Sequence, residues 1–272
     1  MPECPSLIRL TRLNRTAGLA QRCGDRKRTE IKQFEVIPSQ VASADVPVSN
    51  KRYMPDALIE GIDVSSNQGE VDWGAVARAG KAFGFARATI GGHQGDPQFV
   101  ANWQQMSDAG IFRGAYHFFW PLTPWQDQAE NFIKTVGALN PGALPPVLDL
   151  EEAIPKSSAS KRDAWKDVPA DQRLSIIRNW LDAVEQALSM RPMIYTRQNF
   201  IEPLLGDEVK TLATSGLWIA HYKVAQPSTP SSWASWTFWQ YSETGSVDGV
   251  HGNVDCDRFG GSRVELQNLT KS

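Results

Sequence analysis

The chain has 272 residues, which is enough for one large domain, such as an α/β barrel, or for two small ones. Its 28 Lys and Arg against 30 Asp and Glu give a formal net charge of −2. This balance argues against nucleic acid as the main partner, because phosphate binding needs a concentrated basic surface.

The charge is distributed unevenly along the chain. Residues 1–55 carry ten Lys/Arg against five Asp/Glu, which leaves eighteen against twenty-five for the rest. We therefore predict a basic N-terminal extension over 1–56, disordered or loosely attached, and a barrel domain over 57–272. Arg interrupts the apolar residues of segment 6–20, so this segment lacks the apolar run of a secretory signal and is too polar to span a bilayer. A basic arm that binds an anionic surface, or an atypical targeting segment, is the alternative.

From residue 58 onward, short apolar runs alternate with helical patterns. The predicted strands are 58–65, 83–89, 112–120, 145–151, 191–196, 216–222, 236–242 and 252–259. The predicted helices are 72–80, 96–110, 124–139 and 171–188. Repeated β-α units imply parallel strands covered by helices, and eight of them favour a closed α/β barrel with reduced outer helices in its last third. A doubly wound open sheet is the alternative.

The fourth predicted strand ends in acidic residues. Because side chains two apart in a strand share a side, Asp149 and Glu151 face one way and Leu148 and Leu150 the other. In a barrel the leucines then pack beneath the helices, and the carboxylates point towards the axis at the end where barrel enzymes keep their active sites. Further acidic residues lie on the first and last strands, which are neighbours in a closed barrel: Asp63, Asp255 and Asp257.

Acidic groups that converge without a compensating basic cluster repel one another, and with partial burial this raises at least one carboxyl pKa. A protonated acid beside an ionised partner is what cleavage of a glycosidic bond requires. Aromatic rings suit the apolar faces of sugars, and several lie on the sixth and seventh predicted strands. These are Trp218, Tyr222, Trp239 and Tyr241.

Eight sequence blocks, in order, resemble the family 25 glycoside hydrolases, the Chalaropsis-type N-acetylmuramidases or lysozymes. The blocks are GIDVSSNQG, FGFARATIGG, GAYHFF, PPVLDLE, IYT, LWIAHY, WQYS and GNVDCDRF. The resemblance covers about residues 59–260. Each block is degenerate alone, but eight in the same order are unlikely to arise by chance.

The resemblance implies a flattened TIM-like β/α barrel that hydrolyses the β-1,4 bond between N-acetylmuramic acid and N-acetylglucosamine in peptidoglycan, without metal or cofactor. It implies Glu151 as the general acid, Asp63 and Asp149 as supporting carboxylates, and Asp255 as the completion of the acidic floor. The side chains expected to line the sugar groove are Tyr116, Tyr195, Trp218, Tyr222, Trp239, Gln240 and Tyr241. The expected partner is the glycan strand of a cell wall, on which the protein is expected to act as a monomer. The location stays open among extracellular, periplasmic and phage-delivered action.

Two other functions stay open: a sugar-binding barrel with little or no activity, and a glycosidase for chitin-like chains. The chain also departs from the family pattern, because Asp257 stands where the last block commonly has Asn. Glu152 falls off the inward face and is expected to be a solvated charge. The sequence leaves open retaining against inverting chemistry, and whether Asp63 or Asp149 is the main partner of Glu151.

Neither cysteine nor histidine shows metal-ligand spacing. The three cysteines, an odd number, predict no disulfide framework: Cys4, Cys23 and Cys256. Alternation along the last strand turns Cys256 outward, so we expect a buried packing thiol and not a nucleophile. His117 lies within the third predicted strand and is expected to be structural and hydrogen-bonded.

Overall fold

A computed structural model describes residues 58–155 and 161–270. The predicted N-terminal extension over 1–56, with Cys4 and Cys23, lies outside these residues. The same holds for part of the polar loop that follows the acidic strand.

Within the described residues the eight predicted strands are all present, together with one short additional strand. The strands are β1 (Ile59–Val64), β2 (Phe83–Ile90), β3 (Gln94–Gly95), β4 (Phe112–Phe118), β5 (Val147–Asp149), β6 (Met193–Thr196), β7 (Leu217–Ala220), β8 (Phe238–Gly245) and β9 (Val254–Phe259). The additional strand is β3, which pairs antiparallel with the end of β2.

The sheet closes into a barrel of eight strands, in the order β1-β9-β8-β7-β6-β5-β4-β2, because β1 also pairs with β2. The prediction of a closed barrel is thus confirmed, and the open sheet is excluded. The prediction that every strand is parallel is wrong for β9, which runs antiparallel to both β1 and β8. The connection 246–253 explains the difference, because a parallel crossover needs about a dozen residues or more.

Six α-helices occur in the described part of the chain: α1 (Trp73–Arg78), α2 (Phe99–Asp108), α3 (Trp125–Val136), α4 (Ala170–Leu188), α5 (Gln198–Leu205) and α6 (Arg263–Asn268). The first four match the predicted helices. The last two were missed, although Ser262 and Glu265 form a capping box at the start of α6. No α-helix joins β7 to β8 or β8 to β9 in these residues, in line with the predicted loss of outer helices.

The apolar residues divide into an outer core beneath the helices and an inner core inside the barrel. Leu148 and Leu150 are fully buried in the outer core, so the predicted outward direction of this pair is confirmed. In the inner core, Phe85 stacks on Trp218 with ring centroids 4.4 Å apart. Gly114 makes room for this stack, because a Cβ there would lie 2.1 Å from the Phe85 ring. Trp218 also borders the cavity described below, so the stack lies directly beneath that cavity.

Candidate active site

A cavity of about 250 Å³ opens at the end of the barrel where the parallel strands have their carboxyl ends. It brings together nine of the predicted site residues: Asp63, Tyr116, Asp149, Glu151, Tyr195, Trp218, Tyr222, Gln240 and Asp255. The structure also adds residues from the first strand-to-helix turn, whose sequence gave no comparable signal: Ser65, Asn67 and Gln68.

Backbone hydrogen bonds hold the acidic segment that follows β5. The Leu150 N–H donates to the carbonyl of Tyr195 at 2.9 Å, and the Trp165 Nε1–H donates to the carbonyl of Glu151 at 3.1 Å. Asp149 is buried at the end of the strand, whereas the Glu151 side chain is 31% exposed. The Glu151 side chain is therefore anchored at its backbone and open towards the cavity.

Asp149 and Glu151 both have a raised pKa, and the charge of Glu151 acts on Asp149. Burial, followed by the charge of Glu151, raises the pKa of Asp149 well above its usual value. Its buried Oδ1 meets no hydrogen-bond donor among the described residues. Burial also raises the pKa of Glu151, with smaller contributions from Glu152 and Asp255, while Arg197 opposes the rise. The pair is thus built to retain a proton.

Two arginines border the acidic groups, which corrects the expectation that no basic residue compensates them. Arg197 follows β6, and its Nη2 lies 3.6 Å from Glu151 Oε2 and hydrogen-bonds to Glu152. Arg87 lines the cavity and pairs with Asp96 at 2.8 Å. Glu152 therefore lies off the inward face as predicted, but it is paired and not simply solvated.

A hydrogen-bond network fixes Asp63 on the opposite wall. The Gln240 Nε2–H donates to Asp63 Oδ2 at 2.6 Å. The hydroxyls of Tyr195 and Tyr222 both donate to Gln240 Oε1, at 2.8 and 2.5 Å, and so fix the orientation of the amide. Burial raises the pKa of Asp63 well above its usual value, with the charges of neighbouring aspartates adding to it.

Asp255 faces Asp63 across the β1–β9 pair. Burial, followed by the charge of Glu243, raises the pKa of Asp255 to about 6. Glu243 also lines the cavity and was missed from the sequence, because the pairing of β8 with β9 is irregular between Gln240 and Gly245 and alternation fails there. Burial and the neighbouring charges thus favour the protonated form of the carboxyls on this wall of the cavity.

Trp239 and Tyr241 do not line the cavity, so their expected place in a sugar groove is wrong. Trp239 is 2% exposed, and its Nε1–H donates to the His221 carbonyl at 2.8 Å. The Tyr241 ring lies on the outer side of the barrel, 4.1 Å beneath the guanidinium carbon of Arg258. Because Gln240 points inward, Trp239, which precedes it in a regularly paired stretch of β8, points outward.

The secondary predictions for His117 and Cys256 agree with the structure. His117 is fully buried between Thr89 at 2.7 Å and Gln128 at 3.0 Å, and burial lowers its pKa to about 4. Cys256 is a buried free thiol in the outer core. Over residues 58–155 and 161–270, no group of three or more His, Cys, Asp or Glu is arranged to hold a metal ion, and no helix could cross a membrane.

Comparison with known proteins places this geometry in a family. The model of glycosyl hydrolases family 25 matches residues 62–250. Lysozyme M1 of Streptomyces globisporus is 34% identical, in a match that covers 79% of this chain and 72% of the lysozyme. The uncharacterized protein YegX of Escherichia coli O157:H7 is 36% identical, in a match that covers 77% of this chain and 72% of YegX. The crystal structure of the lysozyme from Streptomyces coelicolor superposes with a TM-score of 0.73 at 34% identity, covering 79% of this chain and 98% of that one. The chain therefore belongs to glycosyl hydrolases family 25.

Proposed function

We propose that this protein is a muramidase that hydrolyses the β-1,4 bond between N-acetylmuramic acid and N-acetylglucosamine in peptidoglycan. The observation that carries the proposal is the cavity at the barrel mouth, where five carboxyls meet beside phenolic and amide groups. Family membership favours the same substrate, as do the names of two relatives, Lysozyme M1 and the N,O-diacetylmuramidase of Chalaropsis.

Glu151 acts as the general acid. A group in this role must keep a proton near neutral pH and still reach the substrate, and Glu151 combines a raised pKa with an open side chain. It delivers the proton to the glycosidic oxygen while the bond to the anomeric carbon breaks. Asp149, buried behind it in the same segment, keeps the pair supplied with a shared proton.

Asp63 is the carboxylate that faces the developing positive charge. Its position is fixed by Gln240 before substrate arrives, so little reorganisation is needed in the transition state. Asp255, on the neighbouring strand, completes the acidic wall. Water then supplies a hydroxyl to the anomeric carbon, and its second proton restores the acid.

Tyr116, Tyr195, Tyr222 and Trp218 give the cavity aromatic edges and hydroxyls suited to pyranose rings. The protein acts as a monomer on glycan strands of the cell wall, outside the cytoplasm. A cavity open on one side of a single barrel can accept a strand without a second subunit.

The test is digestion of purified peptidoglycan, followed by turbidity and by mass analysis of the new reducing ends. We expect soluble muropeptides ending in reducing N-acetylmuramic acid. Glu151→Gln should retain binding and lose cleavage, whereas Glu130→Gln, the same chemical change on an exposed helix surface, should not alter the rate. Reducing N-acetylglucosamine ends would contradict the assignment. Undiminished turnover by Glu151→Gln would remove Glu151 from the acid role.

A further inference from the structure

Asp257 is a buried carboxyl that the proposed reaction does not use. It lies on β9, opposite Gly61 of β1 and Gln240 of β8, and it is 0% exposed. Asp257 does not line the cavity, whereas Asp63 does. The strand register brings the two side chains together, because Asp257 pairs with Gly61, two residues before Asp63 on the same face of β1, and the two carboxyls hydrogen-bond to each other. A fully buried acid therefore stands directly behind a carboxyl of the candidate active site.

The donors around these two acids are too few for two negative charges. Asp63 Oδ2 accepts from Gln240, and Asp257 Oδ1 accepts from Trp218 Nε1 at 2.9 Å. Asp257 Oδ2 is buried and meets no donor among the described residues. Two adjacent ionised carboxylates in such a place would repel strongly, and a carboxyl–carboxyl hydrogen bond needs one proton. The pair must hold that proton.

The surroundings decide which of the two acids carries it. Asp63 borders the open cavity and receives a short hydrogen bond from Gln240, which Tyr195 and Tyr222 hold in orientation. Negative charge is better supported there than at Asp257, which has no access to solvent and one neutral indole donor.

We propose that Asp257 is a positioning residue which stays protonated in the working enzyme and donates its Oδ2–H to Asp63, so that Asp63 faces the substrate as a fixed carboxylate. This inference rests on the proposed function for its effect on turnover. The protonation of Asp257 itself does not depend on any activity.

The groups around Asp257 act on its charge in both directions. The charge of Asp255 on β9 disfavours ionised Asp257, whereas the hydrogen bonds with Trp218 and Asp63, and the charge of Lys81, favour it. Trp218 on β7 and Gln240 on β8 are neutral donors. Burial is the main reason that the pKa of Asp257 lies well above its usual value.

The first experiment compares Asp257→Asn with Asp257→Leu. The amide can donate from Nδ2 to Asp63 and accept at Oδ1 from Trp218, as the protonated acid does, whereas leucine does neither. We expect Asp257→Leu to lose at least tenfold in kcat on peptidoglycan and Asp257→Asn to restore most of that loss. The alkaline decline of activity should move to higher pH in Asp257→Asn, because the amide cannot lose its proton. A tenfold loss in folded Asp257→Asn would overturn the proposal.

Two measurements on the intact protein are independent of peptidoglycan cleavage. Infrared spectra should lose one protonated-carboxyl band in Asp257→Asn, and Trp218→Phe should shift that same band, since Trp218 donates to Asp257 and not to Asp63. The melting temperature of Asp257→Asn should exceed that of the wild type by a margin that grows as pH rises above about 4, where free aspartate ionises. If the band does not respond to Trp218→Phe, or if the difference in melting temperature shrinks as pH rises, the proton is not on Asp257. If the spectra agree but no peptidoglycan is cleaved, the proposed function fails and the protonated Asp257 stands.

Discussion

Glu152 and Arg197 give the acid group Glu151 a charge environment that can be changed in either direction. Glu152→Gln removes a negative charge that helps Glu151 to keep its proton, and it leaves Arg197 with Glu151 as its remaining ionic partner. Both effects stabilise ionised Glu151 and lower its pKa. The basic limb of the activity profile should then move to lower pH.

The Arg197–Glu151 pair shows the size of one charge–charge interaction at this place. At its separation of 3.6 Å it is worth about 1 kcal/mol in water and about 5 kcal/mol at an effective dielectric constant of about 20, and we take the loss of the neighbouring Glu152 charge to be of the same order. The side chains of Glu151, Glu152 and Arg197 are between 31% and 41% exposed, so solvent screens them and the lower figure applies. Since one pKa unit is about 1.4 kcal/mol, we expect a shift of about 0.7 units and about fivefold less activity on the basic limb.

The assay is the initial rate of peptidoglycan solubilisation from pH 4 to pH 9 at constant ionic strength. Arg197→Gln is the matched opposite change, because it removes the positive charge and should move the basic limb to higher pH. Glu130→Gln, exposed on α3, controls for loss of one surface carboxyl. A basic limb that moves in the same direction in both variants, or in neither, would refute the electrostatic reasoning.

Three further changes test the scaffold of the site. Gln240→Leu removes the donor to Asp63 and leaves the hydroxyls of Tyr195 and Tyr222 without their acceptor. We expect kcat to fall at least tenfold, and urea titrations to show a free energy of unfolding lower by about 1–3 kcal/mol per unpaired group. An unchanged kcat would contradict this expectation. Phe85→Ala should lower the free energy of unfolding by about 3–5 kcal/mol, because it leaves a cavity in the inner core. The control Leu122→Ala, at an exposed position, should change it very little. Equal urea midpoints for the two variants would show that the stack does not stabilise the barrel. Because the pKa of His117 is lowered to about 4, the unfolded chain binds the proton first, and wild-type stability should decline as pH falls from 6.5 to about 4. His117→Gln should make this decline less steep in thermal scans. An identical slope in the two proteins would refute the reasoning.

The main features of the fold and of the acidic segment follow from local rules. Period-two alternation was enough to turn Leu148 and Leu150 towards the helices and Glu151 towards the cavity, because β5 and the residue after it are extended. The same rule turns Trp239 outward, because Gln240 beside it points inward. The rule does not reach Tyr241, because the pairing of β8 with β9 is irregular between Gln240 and Ser242.

Other features depend on contacts that no local pattern carries. Arg197 follows the last residue of β6, where strand alternation ends and helix periodicity has not begun, so its direction is fixed only by Glu151 and Glu152. The antiparallel direction of β9 depends on the length of one loop and on closure against β1. In the sequence, Asp257 is not distinguished from the other acidic residue of the last strand. Its contacts with Trp218 and Asp63 appear only in the folded structure.

The aromatic rings in the lower barrel affect the exchange of protons between the carboxyls and solvent during a reaction. Phe85 and Trp218 lie beneath the cavity, and both are at most 1% exposed, so this part of its floor is closed to solvent. A sugar that covers the mouth would shield the carboxyls from bulk water. Protons would then be redistributed among these carboxyls and the attacking water, instead of being exchanged with solvent.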